Sequence, residues 1–108
     1  MNKGLDELRD KIDQIDDNIV DLLINRCNLS REVAEVKYSQ QGEDIVIYRK
    51  EREDEIFKKV FSIADKSELY VDKENLHKYL ESMYSNILEL SREEQKKYLE
   101  NLKGLKVN

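Results

Sequence analysis

Residues Leu5 to Lys37 read LDELRDKIDQIDDNIVDLLINRCNLSREVAEVK and contain neither proline nor glycine over 33 residues. Apolar residues recur in steps of three and four, at Leu5, Leu8, Ile12, Ile15, Ile19, Leu22, Leu29, Val33 and Val36. This period predicts one long amphipathic helix, and we call these nine residues the seam. At position 26 the period requires an apolar residue but the chain has Arg26, which makes that guanidinium a candidate functional group.

The same helix has a second apolar row, formed by Val20, Leu23, Ile24, Cys27 and Ala34. At ~1.5 Å per residue the helix is roughly 50 Å long, longer than a globular chain of this size would be wide. A helix that is apolar on two sides needs partners on two sides. The rest of the chain supplies one partner, and a second copy of the helix is the expected other, which predicts a homodimer.

Composition narrows the fold and the partners. The 108 residues predict a single domain over 1–108, and 40% charged residues with no proline and three glycines favour an all-α chain. A net charge of −5 argues against nucleic acid or an anionic membrane as the main partner. Neither a signal peptide nor a membrane span is recognisable, so we expect a cytoplasmic protein. Cys27 has no second cysteine to pair with and is expected to be a small core residue.

Three helices are expected to account for most of the chain. The predicted segments in order are frayed residues 1–4, a first helix ending near 39–41, a connection over 43–48, a second helix over about 50–64, a loop over 65–71 and a third helix over about 73–102. Gly42 suits the end of the first helix, because glycine adopts a left-handed conformation without strain. Asp72 suits the N-cap of the third.

Polar residues also interrupt the apolar stripe of the third helix. Its predicted inner row is Leu76, Leu80, Met83, Ile87, Ser91, Gln95, Tyr98 and Leu102, and the predicted buried stripe of the second helix is Ile56, Phe57, Val60, Phe61 and Ile63. A polar residue in a helical seam often sets register at a cost in stability, and this interpretation stays open for Arg26, Ser91 and Gln95. His77 has no second histidine or nearby cysteine, so we expect a surface residue and no metal site.

Several motifs together resemble the helical chorismate mutase family. They are LRDKIDQIDDNIVDLLINR and VAEVK on the first helix, the RE pair Arg52–Glu53 followed by an apolar pair, and ILELSREEQKK on the third helix. The resemblance covers about Leu5 to Lys97. It implies a three-helix, interlocked homodimer that rearranges chorismate to prephenate without a cofactor or a metal.

The resemblance also implies a role for each candidate residue. Arg9, Arg26 and Arg52 would bind the two carboxylates, Ser91 would donate to one of them, Lys37 and Gln95 would donate to the ether oxygen, and Glu53 would accept from the ring hydroxyl. These residue types suit a unimolecular rearrangement, which needs no nucleophile or general base. The reaction needs a flexible dianion held in a reactive shape and stabilisation of the negative charge that grows on the ether oxygen.

A geometric argument about Arg9 does not depend on the resemblance. Arg9 and Lys37 are 28 residues apart on one predicted helix, which is roughly 42 Å along its axis. One small ligand cannot touch both residues of the same chain. If both serve one site, Arg9 must come from an antiparallel second subunit, and two-fold symmetry then gives two equivalent sites.

Four alternatives stay open. Arg49 keeps a shorter spacing from Lys37, but Arg52 is preferred because Glu53 follows it and Ile56 then begins the apolar pair. On the third helix, Ile87 and Ser91 could replace Ser91 and Gln95. An isochorismate–pyruvate lyase of the same fold would share most of the cations, although a carboxylate at Glu53 suits chorismate better. A non-catalytic helical dimerisation or regulatory module is the alternative from another class.

Overall fold

The computed structural model describes residues 3–68 and 71–107, with side chains described over 4–68 and 71–102. The elements in chain order are helix α1 (Lys3–Gln41), a short 3₁₀ turn (Gly42–Asp44), helix α2 (Lys50–Asp65) and helix α3 (Lys73–Val107). Within these described ranges there is no β-strand. The prediction of an all-α chain with three helices and a long first helix is therefore confirmed.

The observed helix ends differ slightly from the predicted ones. Helix α1 already includes Lys3 and Gly4, so the prediction of fraying is wrong for these two residues, and residues 1–2 lie outside the described part. Helix α2 continues one residue further, to Asp65, and α3 continues to Val107. Residues 69–70 of the predicted loop also lie outside the described residues.

Two local signals define the helix ends as predicted. Gly42 follows the last residue of α1 with φ of +64°, a left-handed conformation that costs other residues about 1–2 kcal/mol. The Asp72 carboxylate accepts a hydrogen bond from the Asn75 backbone N–H at 3.0 Å, which caps the start of α3. These two helix ends set the directions of the segment 42–49 and of helix α3, which both form part of the wall of one cavity.

The core lies where α3 packs against the second half of α1 and against α2. Ala34 is 0% exposed, and Ala64, Leu88 and Leu99 are also buried. Leu88, Ser91, Gln95 and Leu99 form the inner edge of α3, so the predicted inner row was wrong at Met83, which is 55% exposed. The prediction was also wrong at Ile63 of α2, because Ala64, one position on, is the buried residue.

The first half of α1 extends away from this core. Every side chain from 4 to 22 is exposed, including the apolar seam residues of that stretch. The chain measures 62 × 29 × 17 Å, and its radius of gyration is 18.5 Å, against roughly 13 Å for a globular chain of this length. Of the second apolar row, Ala34 is buried and Leu23 and Cys27 are half-buried, whereas Val20 and Ile24 are exposed. None of the described helices has the long, uncharged apolar stretch that spanning a bilayer requires.

We predict that Gly42→Ala lowers the free energy of unfolding by about 1 kcal/mol, because alanine is strained at a positive φ. Gly4→Ala is the matched control: a methyl group there meets nothing within 4 Å, and alanine favours the helix. Gly4→Ala should be neutral or slightly stabilising. Urea denaturation of both variants measures the difference, and equal stabilities would contradict the assignment of Gly42.

Candidate active site

A cavity of about 260 Å³ lies where the three helices and the segment 45–49 meet. All four parts of the chain contribute to its wall: Arg26, Leu29, Ser30 and Val33 from α1, Ile47 and Arg49 from the segment before α2, Arg52, Glu53 and Ile56 from α2, and Leu88, Ser91, Arg92 and Gln95 from α3. Apolar and cationic side chains thus share one small space, as expected for a site that binds a small organic anion.

The wall is strongly positive although the whole chain is acidic. Four arginines, Arg26, Arg49, Arg52 and Arg92, face one carboxylate, that of Glu53. Within the described residues, the guanidiniums of Arg26 and Arg49 have no hydrogen-bond or ion-pair partner. Cations left without partners in a partly enclosed space favour an anionic ligand.

Lys37 lies beside the cavity and links α1 to the segment before α2 and to α3. Its Nζ donates to the carbonyl oxygens of Val46 at 3.1 Å and Ile47 at 3.4 Å, and to Gln95 Oε1 at 3.4 Å. Gln95 is only 7% exposed. Burial lowers the pKa of Lys37 from its usual value, and the positive charge of Arg49 lowers it further. The structure therefore brings an ammonium group and a buried amide together at the cavity.

Two serines join α1 and α3 at the floor of the cavity. Ser30 Oγ and Ser91 Oγ lie 2.6 Å apart, and Ser30 Oγ also donates to the Arg26 carbonyl at 3.0 Å. Ser30 is buried, and the completely buried Ala34 lies one helical turn further along α1. These small side chains let the two helices approach closely enough for Ser91 and Gln95 to reach the cavity.

Glu53 is held by Arg92 across the α2–α3 interface. Arg92 Nη1 lies 2.6 Å from Glu53 Oε1 and 2.5 Å from Oε2. Both side chains are largely screened from water, with Glu53 the more enclosed. The Arg92 guanidinium also lies 5.5 Å from the centroid of the Tyr48 ring, within the range of a cation–π contact. One arginine thus connects α2, α3 and the segment before α2.

The two arginines that the sequence left as alternatives both line the cavity. Arg52 donates to Glu55 at 3.4 Å, a long contact between exposed side chains that stabilises little. Arg49 instead acts on Lys37 through its charge. Of the third-helix alternatives, Ser91 and Gln95 line the cavity, whereas Ile87 is absent from its described wall.

Two candidates lie elsewhere. Arg9 is exposed on the extended half of α1 and is not part of this chain's cavity. His77 is half-buried rather than a free surface residue, so that prediction was wrong. Its Nε2 lies 2.6 Å from Asp65 Oδ1, and its ring stacks on Phe61 with centroids 4.7 Å apart. The turn after α2 returns α3 against the end of α2, which the helical pattern of α3 alone does not reveal.

Sequence reasoning missed Arg92 and Ser30 as parts of the site. Arg92 directly follows Ser91, but helical periodicity places neighbours on different faces, so only the position of α2 shows that it faces Glu53. Ser30 lies four residues after Arg26, a spacing that could have marked it as a neighbour on the same face. The described residues contain no cluster of histidine, cysteine, aspartate or glutamate able to hold a metal ion.

Over the described residues, these features define an all-helical fold with a cationic cavity suited to a small organic anion. The family model described as chorismate mutase type II matches residues 8–96. The chain belongs to this family. Comparisons with curated proteins and with solved structures gave no match.

We predict that Arg49→Gln raises the pKa of Lys37 towards its usual value, because a nearby positive charge no longer opposes protonation. The shift should be incomplete, since the burial of the ammonium group remains. Arg31→Gln is the control, because Arg31 pairs with Glu94 away from the cavity wall. NMR titration of the Lys37 side chain distinguishes the two variants, and an unchanged pKa in Arg49→Gln would contradict the assigned cause.

Proposed function

We propose that this protein is a chorismate mutase that converts chorismate to prephenate by an intramolecular rearrangement. The observation that carries the proposal is the pairing of Lys37 with the buried Gln95 beside a cavity lined by four arginines. The family assignment supports the same chemistry. We infer a cytoplasmic enzyme of aromatic amino-acid biosynthesis that needs no cofactor.

The arginines supply the binding of a dicarboxylate. Arg26 and Arg49 have no partner among the described residues, so a dianion would neutralise them without breaking an existing ion pair. Arg52 gives up only an exposed contact with Glu55. We assign Arg26 and Arg52 to the substrate carboxylates, with Arg49 as the competing candidate for the second position and Ser91 as a hydroxyl donor.

Lys37 and Gln95 supply the catalytic stabilisation. When the C–O bond of chorismate breaks, negative charge grows on the ether oxygen, and hydrogen-bond donors placed there lower the barrier. Lys37 Nζ donates to the carbonyl oxygens of Val46 and Ile47 and to Gln95 Oε1, so one of its three protons turns from these acceptors to the ether oxygen, and the Gln95 amide nitrogen donates beside it. One such donor contributes about 2.7–4 kcal/mol to transition-state stabilisation. Glu53 is assigned as the acceptor of a hydrogen bond from the ring hydroxyl, through lone pairs that Arg92 leaves available.

A homodimer completes the site in this proposal. Exposed seam residues run along the first half of α1, and an isolated amphipathic half-helix in water lacks the packing that stabilises helices. A second α1 packed antiparallel would cover this seam. It would also bring Arg9 of the partner subunit towards this chain's cavity. Within one chain, Arg9 and Lys37 are about 42 Å apart along α1, so they cannot serve the same cavity.

The second candidate function is an isochorismate–pyruvate lyase of the same fold. Such a lyase would use the same cations, but it has less need of a carboxylate that accepts a hydrogen bond from the ring hydroxyl. The held position of Glu53 in the cavity wall favours chorismate. A non-catalytic dimerisation module gains nothing from unpaired arginines in a cavity, so the third candidate has no observation in its favour.

The test is the loss of chorismate absorbance with identification of the product. Prephenate supports the proposal, whereas pyruvate with salicylate from isochorismate supports the lyase, and no turnover supports the non-catalytic module. We predict that Arg26→Ala and Lys37→Ala each lower kcat/KM by about 10²–10³ while circular dichroism stays unchanged. Near-normal turnover in either variant would remove that residue from the mechanism.

Arg49→Ala and Arg52→Ala resolve the choice between the two arginines. Only the arginine that binds a substrate carboxylate should show a loss comparable to that of Arg26→Ala. A large loss confined to Arg49→Ala would reject the assignment of Arg52. The pair is well matched because both side chains line the same cavity and both are exposed.

We predict that Gln95→Glu confines activity to acidic pH. A protonated carboxyl can donate to the ether oxygen, whereas an ionised one repels the negative charge that develops there. The ammonium of Lys37 would favour the ionised form and deepen the loss at neutral pH. Gln95→Ala should be poor at every pH. Rate–pH profiles from 5 to 8 decide the matter, and a wild-type profile for Gln95→Glu would exclude Gln95.

Mixing two inactive variants tests the contribution of Arg9 across the dimer. After dissociation and reassociation, Arg9→Ala with Lys37→Ala should regain about a quarter of the wild-type activity, because each mixed dimer has one intact site. Arg26→Ala mixed with Lys37→Ala is the control and should regain none, since both residues belong to the same chain's cavity. Failure of the first mixture, or a monomeric mass by light scattering, contradicts the shared site.

A further inference from the structure

We propose that Arg92 is a positioning residue that orients the Glu53 carboxylate towards a ligand hydroxyl and thereby makes the site selective for hydroxylated ligands. This inference rests on the proposed function, because the hydroxyl is that of the substrate ring. Among the four arginines of the cavity wall, Arg92 is the one that holds the wall's only carboxylate within the described residues.

The geometry limits how Glu53 can move. A single Arg92 nitrogen contacts both Glu53 oxygens, at 2.6 and 2.5 Å, so rotation of the carboxylate about its last bond would break one of two charge-assisted hydrogen bonds. The side chain of Glu53 is 17% exposed, which leaves little water to replace a lost donor. Glu53 therefore has a fixed orientation before any ligand arrives.

Arg92 is itself restrained on its other side. Its guanidinium lies 5.5 Å from the Tyr48 ring centroid, and the residue before Tyr48 accepts a hydrogen bond from Lys37 through its carbonyl. Arg92 thus has contacts with α2 and with the segment that also contacts the catalytic lysine. These restraints differ from those of an isolated surface ion pair, in which both side chains exchange among many rotamers.

The remaining lone pairs of Glu53 give the chemistry. An ionised carboxylate has about four acceptor positions, and Arg92 occupies two of them. The remaining two acceptor positions can each accept a hydrogen bond from a hydroxyl in the cavity. A ligand without a hydroxyl leaves these positions without a donor. The hydrogen bond from the ligand hydroxyl to Glu53 is equally strong in the ground state and in the transition state. Its loss should therefore raise KM more than it lowers kcat.

The experiment compares Arg92→Met, Glu53→Gln and the double variant, with Arg31→Met as the control. Arg31 forms an ion pair with Glu94 at 2.8 Å that also reaches α3, but neither residue lines the cavity. We expect Arg92→Met to raise KM for chorismate roughly tenfold with kcat within about threefold, and Arg92→Lys to restore part of the loss. Adding Arg92→Met to Glu53→Gln should change nothing further, and Arg31→Met should leave KM unchanged.

A pair of cyclic dicarboxylate inhibitors that differ only in the ring hydroxyl gives a readout that a structural role would not move. Arg92→Met should weaken the hydroxylated inhibitor about tenfold and leave the other unchanged. Equal weakening of both, an unchanged KM, or a KM increase of the same size in the Glu53→Gln background would overturn the inference while wild-type turnover upheld the proposed function. Absence of wild-type turnover would reject both.

Discussion

The site depends on the close approach of α1 and α3. Ser30 and Ala34, one helical turn apart, are among the most buried residues described, and both are small. A larger side chain at either position would separate the two helices, because a packed interior has no free space to absorb extra methylene groups. Their size allows the 2.6 Å contact between Ser30 and Ser91 and brings Gln95 within reach of Lys37. The arrangement of Lys37, Ser91 and Gln95 around the cavity therefore follows from helix packing.

The same packing divides α1 into two halves with different surroundings. The second half packs against α3 through the buried Ser30 and Ala34, whereas every side chain of the first half from 4 to 22 is exposed, and the apolar seam is exposed along both halves. Only the second half can be stabilised by the chain itself, because most helical stability in proteins comes from a buried apolar face. One continuous helix thus combines a core element with an exposed apolar surface.

Much of the fold could be predicted because its signals are local. The structure has the helices that the periodicity predicts, the left-handed Gly42 after α1 and the Asp72 cap of α3. Each of these features depends only on residues that are close together in the sequence. The candidate residues Arg26, Arg52, Glu53, Ser91 and Gln95 line one cavity, and Lys37 contacts Gln95 beside it. Arg9 alone lies far from it, consistent with its distance along α1.

What could not be predicted depends on how the helices meet. Arg92 and His77 each have partners on α2 that are 39 and 12 residues away in sequence, so no pattern on α3 identifies them. The choice between Arg49 and Arg52 is open for the same reason. Arg49 directly precedes α2 and Arg52 lies in its first turn, so spacing along the sequence does not show which of them would bind a ligand. Met83 and Ile63 were assigned to the core because helical periodicity alone does not resolve adjacent positions at the edge of an apolar stripe.

The two serines between α1 and α3 have a consequence for how a ligand is sensed. Each hydroxyl has one proton, and Ser30 directs its proton to the Arg26 carbonyl, so Ser91 completes the short contact with its own. If a ligand oxygen were to accept the hydrogen bond from Ser91 instead, the two hydroxyls would keep their contact only if Ser30 turned its proton to Ser91 and gave up the Arg26 carbonyl. That carbonyl belongs to the residue whose guanidinium lines the cavity. Occupancy of the cavity would then be linked to the hydrogen-bond pattern inside α1 through two hydroxyl protons.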